Sequence, residues 1–127
     1  MELHELSFCK IIILREDIAE VIVNDGMELD LKMVNQYHEF LHSHLISPFS
    51  VLINRINSYT YNFDAQINIG TLKEINAIAV VSYNRVTDIT SKGMALLPRQ
   101  KEWNFNVFSN REEALVWVES EQDNLAR

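Results

Sequence analysis

Apolar residues recur along this chain with two different periods, and the alternation between those periods sets the expected elements. Residues 10–14 and Ile18–Val23 are rich in β-branched side chains and are separated by the polar triplet Arg15-Glu16-Asp17, which predicts two antiparallel strands joined by a hairpin. Asn24-Asp25-Gly26 breaks the strand pattern, and Asp30 is placed to cap a helix running to about residue 46. At about 100° per residue, Leu31, Val34, His38, Leu41 and Leu45 share one stripe, with Lys32, Asn35, Gln36, Glu39 and Ser43 opposite. A second row, Met33, Tyr37, Phe40 and His44, lies to one side and also requires cover, from a neighbouring helix, a protein partner or a homodimer.

Ser47-Pro48 ends the helix, and residues 49–53 form a continuous apolar run of strand length, as in a parallel sheet covered on both faces. Residues 62–75 can be helical with Phe63, Ile67, Leu72 and Ile75 inward, although Gly70 interrupts the pattern. Residues 77–81 are the clearest buried strand, and residues 87–97 fit a helix closed by Pro98. Residues 104–108 predict a short last strand. Ser109 with Glu112 makes a capping box for a terminal helix that turns Ala114, Leu115, Trp117 and Val118 inward. These elements predict an α/β class: a single-layer, mostly parallel sheet with an N-terminal antiparallel strand and four β-α units with right-handed crossovers. With 127 residues and no linker, repeat or low-complexity tract, one domain spanning 1–127 is expected.

Composition narrows the roles. Apolar residues are 47% and charged residues 23%, which is globular. Three Gly and two Pro disfavour a turn-dense all-β fold, and the 12 Asn are expected to stand in for Gly at left-handed turns. Eleven basic against 18 acidic residues give a net charge of −7, so no nucleic-acid partner is expected. The longest apolar runs, residues 77–81 and 11–14, fall far short of the ~18 residues that cross a bilayer, so no membrane span is expected. The acidic start Met1-Glu2-Leu3-His4-Glu5 does not read as a secretory signal, and a lone cysteine, Cys9, suits a reducing cytoplasm. Cys9 lies beside Phe8 and Ile11 and reads as a small buried hydrophobe.

In open parallel sheets ligands approach the carboxyl ends of strands. Those exits carry Asp25, then Asn54 and Arg55 with Asn57, then Asn84 and Arg85, so two Asn-Arg pairs leave consecutive strands and form a candidate partner or ligand face. Arg can grip a carboxylate or phosphate with two parallel bonds, whereas ordinary loop polarity would explain the same residues without a ligand. Met33, Tyr37 and Phe40 form a candidate apolar interface, set against simple packing inside the molecule. His38 and His42 have a spacing that can present two imidazoles to a metal, but Glu39 falls on the solvated side and no other ligand is evident. No metal or cofactor is expected. The nucleophile elbow, the P-loop and the Gly-x-Gly-x-x-Gly fingerprint are all missing, which disfavours an enzyme.

The run Ile18-Ala19-Glu20-Val21-Ile22-Val23-Asn24-Asp25-Gly26, the strand Val51-Leu52-Ile53-Asn54 and the segment Phe108-Ser109-Asn110-Arg111-Glu112-Glu113-Ala114-Leu115-Val116-Trp117-Val118 together resemble the SpoIIAA-like (STAS) family. That resemblance implies a β-α superhelical fold and, as in the family's best-known members, a non-enzymatic regulator that binds a kinase or an anti-sigma factor. In those members a serine at the start of the helix after the third strand carries the regulatory phosphate. Here the matching stretch is Asn62-Phe63-Asp64-Ala65, so the acceptor is missing and the phosphorylation switch does not transfer. Ser58 and Thr60, just upstream, are the nearest hydroxyls. The expectation is a regulatory or scaffolding module that binds a protein. Its alternatives are a small-molecule or lipid carrier with an apolar cavity of about 300 Å³ or more, and an enzyme with its site at the strand ends.

Overall fold

The computed structural model describes residues 2–94 and 103–125. In chain order they form β1 (Glu2–Glu5), β2 (Cys9–Arg15), β3 (Ile18–Val23), β4 (Glu28–Leu29), α1 (Leu31–His44), β5 (Phe49–Arg55), β6 (Thr60–Tyr61), α2 (Phe63–Asn68), β7 (Ile75–Ser82), α3 (Arg85–Met94), β8 (Phe105–Phe108) and α4 (Arg111–Asp123). The main sheet runs β1-β2-β3-β5-β7-β8. β1, β2 and β3 are antiparallel, and β3, β5, β7 and β8 are parallel. This is the expected α/β architecture with two additions. The edge strand β1 carries Glu2 and Glu5 and so shows no apolar run, and charge on an edge strand discourages pairing with other chains. β4 and β6 form a small parallel ribbon that zips the loop after β3 to the loop after β5.

The period of two along β5 divides the core. Phe49, Val51 and Ile53 face the layer of α1 and α2, together with Val34, Tyr37, Leu41 and Ala65. Leu52 faces the other way and packs with Ile18, Ala79 and Val81 against Ala114 and Val118 of α4. Leu115 and Trp117 are half-buried around that second cluster, so the expected inward face of α4 is observed. Between Leu52 and the end of α4, Ser50 donates to Gln122, and Gln122 in turn donates to the buried carboxylate of Asp17. Cys9 is buried, and burial pushes its thiol up to about 12, consistent with a packing role.

Each helix starts on a short polar cap. Asp30, Asn62, Asn84 and Asn110 accept from the backbone N–H of Met33, Ala65, Thr87 and Glu113 respectively. Each such cap contributes about 1 kcal/mol. Two expectations are corrected here. The α4 cap is Asn110 rather than Ser109, and the asparagines serve as caps and loop ties rather than left-handed turns, since among the described residues only Gly26 and Gly70 have positive φ.

The expected helix 62–75 is too long. α2 ends at Asn68, and Gly70, at φ 71°, turns the chain toward β7, which already includes Ile75. Phe63, expected inward, is 74% exposed, and Ile67 is also exposed. The third helix begins at Arg85 rather than residue 87, and its expected end and Pro98 stop lie outside the described residues.

Candidate functional site

Two features collect the chemistry of this fold: the carboxyl edge of the parallel strands and a cavity under α1. The edge is built by register. β5 runs to Arg55 and β7 to Ser82, with Asn54 opposite Val81 and Arg55 opposite Ser82, so Asn54 and Arg55 are strand residues rather than loop residues. Successive strand side chains point to opposite faces, so the Asn-Arg pair is split. Asn54 donates to Glu20 Oε2 at 2.9 Å on the α4 side. Arg55 passes to the other side and reaches Ser91 of α3.

The remaining candidate residues are mostly structural ties. Asp25 accepts from the Ser58 N–H at 2.9 Å, and Asn57 donates to the Val23 carbonyl at 3.0 Å, which holds the loops after β3 and β5 together. Asn84 caps α3. Arg85 is exposed. The expected convergence of two Asn-Arg pairs on one ligand is therefore corrected: β5 sends its pair to opposite faces, and Asn84 is occupied at a helix start. Ser58 and Thr60 are exposed, and the Asp25 carboxylate already lies against Ser58.

Sequence reasoning missed the apolar character of this edge. Ile56 directly follows β5 and Tyr83 directly follows β7, so both leave the sheet at its carboxyl edge just beyond the Arg55–Ser82 pairing. Val86 and Ile89 follow on α3, one turn apart. Their exposures are 62% for Ile56, 47% for Tyr83, 75% for Val86 and 59% for Ile89. In the sequence these are isolated apolar residues in polar stretches, without the sustained period that marks an element.

On the α4 side, Glu20 is buried and gripped by Arg111. Nε donates to both carboxylate oxygens, at 3.1 and 3.0 Å, and Nη2 donates to Oε1 at 2.8 Å. Burial pushes the Glu20 carboxyl up, but the hydrogen bonds from Arg111 and Asn54 and the charge of Arg111 prevail and hold it below its usual range. This pair ties β3, β5 and the start of α4 together.

The cavity lies between α1, the sheet, the β4–β6 ribbon and α3, and its volume is about 60 Å³. Met33 and Tyr37 line it, so these two members of the candidate apolar interface face the interior, and Tyr37 is almost fully buried. Phe40 is half-buried against the core and is covered by β1 through His4, with ring centroids 5.1 Å apart, while His44 stacks on it from outside at 3.9 Å. Within the chain, the second row of α1 thus meets the cavity, the core and β1. At 60 Å³ the cavity is far smaller than the space expected of a lipid carrier.

The two candidate histidines have separate partners. His38 Nε2 accepts from the Gly70 N–H at 3.2 Å, and burial, with some help from His42, pushes its pKa down to about 4. His42 Nε2 lies 3.2 Å from Glu74 Oε2. Among the described residues no three His, Cys, Asp or Glu side chains stand close enough together to hold a metal. No helix among them is long and apolar enough to cross a membrane.

No protein-family model and no curated protein sequence matches the chain. A solved structure does: the crystal structure of an uncharacterized protein from the DUF3478 family with a SpoIIAA-like fold, from Shewanella loihica PV-4. The likeness covers 87% of this chain and 91% of that one, with a TM-score of 0.59 and 14% sequence identity. Strand order, helix placement and this likeness agree that the chain has a SpoIIAA-like fold.

Proposed function

We propose that this chain is a non-enzymatic regulatory module that binds another protein along the carboxyl edge of its parallel strands. The observation that carries this reading is the exposed apolar strip formed by Ile56, Tyr83, Val86 and Ile89 at that edge. Loops and helix starts are ordinarily polar, and several large exposed apolar side chains gathered at one edge of the sheet are the composition of an interface core. Arg85 lies within the strip and supplies a charge for its rim. The resemblance to SpoIIAA-like regulators, which act by docking on a kinase or an anti-sigma factor, supports the same class of role without supplying a partner's identity. The partner we infer is a different protein, since the net charge of −7 on each copy works against self-association.

The test is affinity capture from the native cytoplasm with the wild-type chain, with Val86→Glu/Ile89→Glu, and with the control Leu3→Glu on the far edge of the sheet. All three fold alike by circular dichroism, since the substituted side chains are exposed. A protein retained by the wild type and the control but lost with the double variant supports the proposal. Equal retention by all three, or self-association that the double variant abolishes, contradicts it.

A further inference from the structure

We infer that the cavity under α1 binds a small monocarboxylate, with the carboxylate held by Arg55. The inference does not depend on the docking edge. Arg55 is 7% exposed, and an arginine that deeply buried ordinarily has a carboxylate beside it. Here its contacts are all to neutral groups. Nη1 donates to Ser91 Oγ at 3.0 Å, Nη2 donates to the Tyr59 carbonyl at 3.2 Å, and the guanidinium carbon stands 4.5 Å from the centre of the Tyr59 ring. Among the described residues Nε has no partner, and no carboxylate pairs with the group. A guanidinium offers five N–H donors, of which these contacts use two. The contrast is Arg111, which is more exposed and yet is gripped by both oxygens of Glu20. Among the described residues the less buried arginine has a counter-charge and the more buried one has none.

The surroundings define the ligand. The cavity of about 60 Å³ compares with the ~10–15 Å³ that one water occupies on this measure, so it accepts roughly four to six non-hydrogen atoms. Its wall is mainly apolar, including Met33, Val51 and Met94, and suits a short aliphatic tail. The polar side chains near Arg55 are Tyr59, Tyr61 and Ser91, and Tyr37 also lines the cavity. Burial pushes the Tyr59 and Tyr61 phenols up, so both stay neutral, and because Tyr61 donates to Tyr59 Oη at 3.4 Å, the Tyr59 hydroxyl keeps its own hydrogen for an anion. One guanidinium in an apolar wall balances a monoanion with a planar, two-oxygen head, the group its fork matches. A phosphate dianion would bring a second charge for which the wall has no partner.

The experiment is isothermal titration calorimetry of the intact chain with sodium butyrate, its neutral analogue butyramide, and inorganic phosphate, repeated with Arg55→Met. Butyrate binding at least about tenfold tighter than butyramide, and lost in Arg55→Met, is the expected result. If Arg55→Met does not fold, the butyrate-to-butyramide ratio on the wild type decides alone. Equal binding of the amide, binding undiminished in a folded Arg55→Met, tighter binding of phosphate, or no measurable butyrate binding overturns the inference.

Discussion

At the scale of single residues, two buried polar groups set how stability responds to pH. His38 sits under Gly70 with its pKa near 4, below the ordinary 6.5, so the folded state resists a proton that the unfolded chain accepts. Its contribution is therefore fully present above about pH 6.5 and is lost progressively as the pH falls toward 4, by on the order of 2–3 kcal/mol. Urea unfolding at pH 7, 5 and 4 should show a flatter profile for His38→Gln than for the wild type, and parallel profiles would contradict the assignment. Glu20 is the opposite case, an acid held below its usual range, so its contribution is present above that range and lost on acidification. Arg111→Met strands a buried carboxylate and should cost about 3–5 kcal/mol near neutral pH. Glu20→Gln should cost less, because the Arg111 side chain keeps access to water. The deficit of Arg111→Met should shrink as the pH drops and Glu20 takes up a proton; a deficit independent of pH would show that the pair does not matter electrostatically. His38 was legible in the sequence as a member of the inward stripe of α1, but Glu20 was not. Glu20 sits in an apolar strand run, and its partner is 91 residues away.

Among the elements, those with a sustained period were legible and those ended by a local device were not. α1 follows its stripe, and β3, β5 and β7 follow their apolar runs. α2 fails because Ile67, Leu72 and Ile75 mimic a helical face although Gly70 has already turned the chain, and because Ile75 belongs to a strand. Gly26 and Gly70 make a discriminating pair here. Both have positive φ, so alanine at either costs about 1–2 kcal/mol from backbone strain alone. At Gly26 an added Cβ meets nothing, whereas at Gly70 it would stand 2.9 Å from Trp103 Cζ2 and 3.2 Å from Ile78 Cδ1. Trp103 is fixed there by its own bond from Nε1 to the Gly70 carbonyl at 2.8 Å. Gly70→Ala should therefore lose a further ~1–3 kcal/mol relative to Gly26→Ala in chemical denaturation. Equal losses would mean that Trp103 yields without cost.

Across the whole molecule, the order of alternating strands and helices was sufficient to place the chain in the α/β class, because parallel strands joined through helices have few ways to build one sheet. The site was less legible, since it depends on where strands end. Extending β5 by two residues beyond its apolar run moves Asn54 and Arg55 from a loop to opposite faces of a sheet, one into an ion-pair network and the other beside a cavity. What remains at the carboxyl edge is an apolar strip that no periodicity could reveal. On the function proposed above, the molecule meets its partner at these apolar side chains. Hydrogen–deuterium exchange of the chain, free and bound to the protein captured on it, tests that claim most directly. Protection on binding should concentrate at Ile56 and across residues 83–89. Protection instead on the outer face of α4 around Val116, or along β1 around Leu3, would contradict it.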